Sequence, residues 1–390
     1  MPMSLSRLRI TGLVFLLPLA ACSTFEGFLD KGSRTESAPL REAIFNDAEL
    51  PLADPISRNY FQLVDKNQSV IGELQVVRIN EGDTFSDLAR EYGLGYDEIV
   101  TANPTVDPWI PPVGTPVLLP TQYVLPDTPR RGVVLNIATK RLFYFPEAAE
   151  GEPQTVMTYP IGIGRVGWET PTGATTVTAK ARDPHWYVPA SVRKEHAENG
   201  DPLPSIVPPG PDNPLGRHVL KLGLPGYLIH GTNQPYGVGM RVSHGCVRMY
   251  PENIETLYEL VGLGLQVTIV NQPYLLGKRD GEWYFESHPP LEEDELPADE
   301  RIAGLLKAAA ADDETLLVDP ELSAHMQAAA SEARGVPVQL SRGDLDEIFE
   351  RAVLVHNTVE LDPDVPTLSE VREMIDQLPD AEPVIIEAVN

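Results

Sequence analysis

The sequence predicts a multidomain α+β protein: a small βααβ module, a mostly-β domain with one packed helix, and an acidic, helical C-terminal extension. Three observations carry that prediction. The chain has 390 residues, enough for two or three domains. Its hydrophobic spacing changes character along its length. It runs from mixed strand and helix over 74–120, through short β runs broken by Gly and Pro over 131–271, to Ala-rich helical spacing beyond 287. The charge is also uneven: residues 287–390 hold 25 acidic and 6 basic residues, so most of the formal charge of −27 lies in the last quarter. There it reads as a solvated face. An acidic chain without clustered Lys and Arg suits phosphate backbones poorly, which argues against nucleic acid as a partner.

The N-terminus reads as a targeting signal. Arg7 and Arg9 precede an apolar run over 10–20, too short for a stable membrane span. The run ends in Leu19-Ala20-Ala21-Cys22, which resembles a bacterial lipoprotein lipobox. That resemblance implies removal of residues 1–21, lipidation of Cys22 and a lipid anchor in a membrane. Ser23 in place of an Asp implies the outer membrane of a Gram-negative cell. An ordinary signal peptide with an incidental Cys is the alternative. The chain has two cysteines, so lipidation of Cys22 leaves Cys246 without a partner. An unpaired thiol in an oxidising compartment is either buried and inert or kept for its reactivity. Residues 22–73 show no sustained period and read as a tether, with a reach on the order of 150 Å if extended.

The first compact unit spans 74–120. Val76-Val77-Arg78-Ile79 reads as a strand, and Glu81-Gly82-Asp83-Thr84 as a turn into a helix carrying Phe85, Leu88, Ala89 and Tyr92 at helical spacing. Gly93 stops it. A second short helix with Asp97, Ile99, Val100 and Ala102 closes at Asn103-Pro104, and residues 112–120 turn and return as a strand. This βααβ order resembles a LysM domain, a module that binds the glycan of peptidoglycan. The resemblance rests on Gly82-Asp83-Thr84, Leu88-Ala89, Tyr92-Gly93, Ala102-Asn103-Pro104 and Gly114 with Leu119-Pro120. A scaffold of the same shape without sugar affinity is the other reading.

Strands dominate 131–271. Residues 132–137 and 141–145 straddle a short turn and predict a hairpin. Further β runs fall at 155–163, 174–179, 218–222 and 226–229. One helix stands out at 251–261, with Pro251 in its first turn and Ile254, Leu257, Tyr258 and Val261 on one face. A strand over 265–270 follows. In the acidic extension, 301–311 and 320–333 have helical spacing, and 345–355 and 368–378 are amphipathic. A helical bundle and a solvated appendage both fit that pattern.

The chemistry concentrates in Ile229-His230-Gly231-Thr232 and Ser243-His244-Gly245-Cys246-Val247-Arg248-Met249. A thiol becomes a strong nucleophile when an imidazole takes its proton or holds it as an ion pair, and His230 and His244 are both available. On a regular strand Cys246 and Arg248 would share one surface, where Arg248 could hold a substrate carboxylate two-pronged. Gly245 admits close backbone approach, so its N–H and that of Cys246 are candidate oxyanion donors. Two other readings exist. His230, His244 and Cys246 could share a zinc ion, or the cluster could be structural, with the thiol buried.

At these residues the chain resembles the L,D-transpeptidase (YkuD-type) family, whose signature is His-Gly-Thr followed some residues later by Ser-His-Gly-Cys-Val-Arg. Through the LysM unit, Leu125-Pro126-Asp127-Thr128, Pro160-Ile161-Gly162-Ile163-Gly164, Thr170-Pro171, Asp212-Asn213-Pro214-Leu215-Gly216 and residues 335–340, it resembles the ErfK/YbiS/YcfS/YnhG branch in particular. The likeness covers residues 68–341. The lipobox and residues 342–390 fall outside it, and lipidation departs from a branch of usually soluble periplasmic enzymes.

The resemblance implies residue roles. Cys246 matches the acylated nucleophile and His230 the general base. His244 and Gly245 surround the oxyanion, and the Gly231 carbonyl orients the base. Arg248 and Ser243 stand at substrate positions, and no metal or cofactor is required. The implied division is a signal peptide (1–21), tether (22–73), LysM domain (74–120), L,D-transpeptidase catalytic domain (131–271) and acidic helical extension (287–390). The implied partners are peptidoglycan glycan and stem peptides. The reaction is acyl transfer from meso-diaminopimelate of a tetrapeptide stem, with release of D-Ala. The acceptor is open: the terminal Lys of an outer-membrane lipoprotein, a second stem, or water, which would make an L,D-carboxypeptidase. The rival from another class is a lipid-anchored wall-binding protein without catalysis, which would leave the Cys–His cluster unexplained.

Overall fold

The computed structural model describes residues 53, 55, 59–311, 316, 319–342 and 348–360. The signal segment, Cys22 and the amphipathic pattern over 368–378 lie outside them. The tether expected over 22–73 is corrected at its C-terminal end. Tyr60–Gln62 (β1) pairs antiparallel with Thr155–Pro160, and Val70–Gly72 (β2) pairs with Gln122–Val124. Strands this short show no period of their own, and they form because a neighbouring edge supplies their hydrogen bonds.

In the next unit, Gln75–Arg78 (β3) and Pro116–Leu119 (β4) pair antiparallel. They enclose helices α1 (Phe85–Glu91) and α2 (Tyr96–Ala102). Thr84 caps α1 with Asp87 reciprocating, so two backbone donors at its start are satisfied. Gly93 turns the chain at φ 65°, where a side chain would be strained.

After β5 (Gln122–Val124) come β6 (Gly132–Asn136), β7 (Arg141–Phe145), β8 (Thr155–Pro160), β9 (Ile163–Gly164) and β10 (Gly173–Arg182). A segment over 183–217 follows, with β11 (Trp186–Tyr187), helix α3 (Ala190–Glu198) and β12 (Ile206–Val207). Then come β13 (His218–Leu222), β14 (Leu228–His230), β15 (Arg241–Ser243), β16 (Val247–Arg248), α4 (Pro251–Leu260) and β17 (Gln266–Val270). The main sheet runs β1-β8-β7-β6-β17-β10-β13-β14-β16. Helix α4 lays Ile254 and Leu257 on one face of it, against Val133, Leu135, Leu142 and Ile229. The expectation of one packed helix is corrected, since α3 also forms. Its polar sequence buries only Val192, so it lacks the apolar stripe that marks a packed helix.

All five residues of β6 and all five of β7 are buried. Alternation explains why. Val133 and Leu135 face the α4 side, while Val134, Phe143 and Phe145 face Phe85, Leu88, Tyr92 and Ile99 of the βααβ unit. That unit and the sheet therefore share a core. Between them lies Arg141, 1% exposed, with Nε and Nη2 donating to Glu98 at 2.7 and 2.8 Å.

The C-terminal part is also folded in. A hairpin, β18 (Tyr274–Arg279) and β19 (Glu282–Ser287), turns at Asp280-Gly281 with both φ positive, the sequence signal for a tight hairpin. Helices α5 (Ala298–Ala309) and α6 (Pro320–Glu332) pack on it, and β20 (Val338–Gln339) extends it. The amphipathic pattern over 345–355 becomes a single helical turn, α7 (Ile348–Arg351), and a strand, β21 (Val353–Leu354), which adds in parallel to β3. In the described residues this region is thus mixed helix and strand, sharing a core with β3 and β4.

Candidate active site

His230 ends β14, and the parallel pairing of β14 with β16 sets His230 opposite Arg248 and Ile229 opposite Val247. Residues eighteen places apart are thereby brought side by side. His230 is 4% exposed. Its Nδ1 lies 2.6 Å from the Gly231 carbonyl oxygen. An oxygen of that kind only accepts, so Nδ1 carries the hydrogen and Nε2 keeps its lone pair. Burial pulls the imidazole down to about 3, the Arg248 charge adds to the fall, and the Gly231 bond opposes it.

Cys246 does not lie on a regular strand. Residues 244–246 form a bend before β16, with Gly245 at φ 98°. A Cβ there would meet the Tyr227 ring at 3.0 Å, so glycine is needed for conformation and for space. The alternation argument for Cys246 and Arg248 therefore fails in its premise, yet both side chains still line one cavity. The Cys246 thiol donates weakly to the Gly226 carbonyl at 3.6 Å. Burial pushes its pKa up, while the Leu228 backbone and the Arg248 charge act the other way. The resting pair is thus neutral thiol and neutral imidazole.

The turn is held from outside. Thr170 Oγ1 donates to the Gly245 carbonyl at 2.9 Å and accepts from the Gly164 N–H at 3.1 Å. Ser243 Oγ donates to the Cys246 carbonyl at 2.5 Å. A trans peptide then points the Cys246 N–H away from Thr170. Ser243, a candidate substrate position, is 1% exposed, lines the same cavity as Cys246 and also ties down the turn through its hydroxyl.

Arg248 is partly buried, and its Nε has no hydrogen-bond partner. Its backbone exchanges both bonds with Gly162 at 2.9 Å, which fixes the side chain's root. Burial lowers its pKa. An unsatisfied guanidinium nitrogen beside a cavity is suited to an anionic ligand. The His244 ring turns to other partners: Arg165 Nη2 at 3.1 Å, Glu195 Oε2 at 3.2 Å and the Trp168 ring, nearly perpendicular to it. Sequence reasoning missed Glu195, Arg165 and Trp168, and no spacing in the chain links them to His244.

The cavity measures about 550 Å³. Cys246, His230 and Arg248 line it together with Trp186, Val192 and Leu203 of the 183–217 segment. Among the described residues no group of three or more His, Cys, Asp or Glu could hold a metal ion, so the zinc reading finds no ligand set there.

Residues 130–269 match the YkuD family, the L,D-transpeptidase catalytic domain. The chain is 40% identical over 253 residues to the probable L,D-transpeptidase YcfS of Escherichia coli K12, covering 63% of this chain and 78% of that protein. The chain belongs to the L,D-transpeptidase family. With the probable L,D-transpeptidase ErfK/SrfK of the same organism, identity is 35% over 299 residues, 73% of this chain and 91% of that one. With the putative L,D-transpeptidase YkuD of Bacillus subtilis it is 26% over 194 residues, 49% and 96%. In this L,D-transpeptidase the matched span contains His230, Cys246 and the whole 183–217 segment, while the βααβ unit and the hairpin β18–β19 lie outside it.

Proposed function

We propose that the protein is a peptidoglycan L,D-transpeptidase that works through a Cys246 thioester. One observation carries the assignment of roles: His230, with its proton on Nδ1 and its lone pair on Nε2, lines the same cavity as Cys246 and Arg248. In the first step His230 Nε2 takes the thiol proton as sulfur attacks the carbonyl carbon of meso-diaminopimelate. The C–S bond forms, the C–N bond to terminal D-Ala breaks, and the leaving amine takes the proton from His230. In the second step an acceptor amine attacks the thioester carbon, the C–N bond forms, the C–S bond breaks, and the thiolate is reprotonated. The Cys246 N–H is the candidate donor to the transient oxyanion, and Arg248 the candidate partner for a stem carboxylate.

The same reading covers the rest of the chain. The βααβ unit over 74–120 is taken as a LysM domain that holds glycan, and Cys22 as the lipidated residue of a chain cleaved after 21. The enzyme would then act in the cell envelope on the periplasmic side, anchored by lipid in the outer membrane. Among the described residues no helix is long and apolar enough to cross a membrane. Cross-linking to a second stem and attachment of a Lys-terminated lipoprotein share the thioester.

The test is incubation of purified protein with a disaccharide-tetrapeptide, with and without a Lys-terminated peptide, followed by mass spectrometry. D-Ala release with 3→3 dimers or peptide-linked stems is expected. Intact donor after long incubation with folded protein would sink the proposal. The pH profile is a second test. A depressed His230 pKa keeps the base unprotonated well into acid, so the acid limb of kcat/KM is expected below the ordinary imidazole value of about 6.5. A limb at or above 6.5 would contradict the assignment.

A further inference from the structure

Helix α3 bears Glu195, some fifty residues before Cys246, yet Glu195 reaches the turn that carries the sulfur. It pairs with Arg165, and its Oε2 stands 3.2 Å from His244 Nε2. Arg165 Nη2 lies 3.1 Å from that same nitrogen, and the Arg165 N–H donates to the Ser243 carbonyl at 3.0 Å. The Trp168 ring sets its edge or face against the His244 ring at 4.9 Å between centroids. His196, on the same helix as Glu195, is 5.9 Å from the His244 ring and itself faces Asp201 at 3.3 Å. Two segments distant in sequence, helix α3 and residues 165–168, therefore converge on one imidazole that the acyl-transfer steps do not use.

The helix has few other fastenings. Asn213 ties down the ends of the 183–217 segment by donating to the Pro184 and Pro208 carbonyls at 2.8 and 3.1 Å. Within α3 itself only Val192 is buried, so hydrophobic packing holds the helix weakly. Yet Ser191, Val192 and His196 line the same cavity as Cys246. The position of that wall must be set largely by polar contacts, and those contacts end on the residue two places before the sulfur.

We propose that Glu195, Arg165 and His244 form a latch that holds α3 against the Cys246 turn and sets the width of the cavity, with Glu195 as a positioning residue for the donor stem. The inference rests on the reading of this cavity as the donor site. His244 Nε2 accepts from Arg165 when its proton is on Nδ1, while Glu195 Oε2, which has no hydrogen-bond partner, faces the same nitrogen as a nearby charge. The Arg165–Glu195 pair closes the latch. The pair is partly solvent-exposed, so salt weakens it.

The experiment compares full-length wild type with Glu195→Ala and Glu195→Gln. It reads kcat and KM for a tetrapeptide donor, and separately the rate at which a bulky maleimide alkylates Cys246. For Glu195→Ala, donor KM is expected to rise about three- to tenfold and maleimide alkylation to speed up by a similar factor, with the thermal midpoint unchanged. Glu195→Gln is expected to fall between the two and to lose the salt dependence of KM. A merely structural role would lower the thermal midpoint and kcat together, so a raised KM and faster alkylation at an unchanged midpoint are diagnostic. KM and alkylation both within twofold of wild type in Glu195→Ala would overturn the latch. The alkylation readout needs no turnover, so a failure of the transpeptidase reading would show as an inactive wild type whose thiol is still exposed by Glu195→Ala.

Discussion

Cys246→Ala is expected to abolish D-Ala release and to abolish the covalent adduct that a carbapenem forms with the wild type, while leaving the fold intact. The fold is spared because the side chain is only partly buried and its polar contacts, to the Gly226 carbonyl and the Leu228 backbone, are weak thiol ones. The turn's geometry depends on Gly245, Thr170 and Ser243, none of which needs the sulfur. Activity is lost because no other atom can carry the acyl group between donor and acceptor. Cys246→Ser should recover little, since a hydroxyl ionises far less readily than a thiol and His230 must then work against a larger proton affinity. Loss of the base costs less, typically about 10²- to 10⁴-fold. Intact-mass spectrometry after carbapenem treatment is the decisive measurement. An adduct persisting on Cys246→Ala would place the nucleophile elsewhere and overturn the assignment.

The second large effect concerns stability. Glu98→Ala is expected to destabilise the protein by about 3–5 kcal/mol, because removing one partner leaves the other charge buried. The orphan would be Arg141, which also donates to Thr158 and the Gly93 carbonyl and lies over the Tyr123 ring at 4.0 Å. Replacing both, as in Glu98→Leu with Arg141→Met, should recover most of the loss, since the desolvation penalty disappears with the charges. Urea unfolding of wild type and the two variants tests this, and a loss below about 1 kcal/mol in Glu98→Ala would show that the pair is not an integral part of the core. The consequence reaches the site. The Tyr96 N–H donates to the Val238 carbonyl, and a Cβ on Gly239 would lie 2.4 Å from Gly95. The βααβ unit thus abuts the segment that leads through β15 to Cys246. Excising 74–120 would expose a core face and strand a buried arginine, so glycan binding is better probed by surface substitutions than by deletion.

Much of the site was legible in the chain. A thiol two residues past an imidazole, with a second imidazole closing an apolar strand, limits the chemistry before any geometry is known, whereas Gly245 reads there only as a point of close backbone approach and its turn at φ 98° comes from the structure. The turn into α1 and the β6–β7 hairpin were equally plain, because each depends on residues within a few places of one another. The Asp280-Gly281 hairpin carried an equally local signal and went unread. The roles of Ser243 and His244 were not legible in the same way, because they depend on which neighbours their side chains meet.

By itself, then, the sequence determined what is local: caps, turns, the periods of the longer strands and helices, and the inventory of reactive groups. The tertiary structure alone decided that β14 and β16 run parallel and bring His230 beside Arg248. It alone decided that the βααβ unit covers the second face of β6 and β7, that β1 and β21 find edges to pair with, and that α3 leans on His244. Each of these rests on contacts between residues far apart in the chain, and their free energy comes from burial and pairing that no single segment contains.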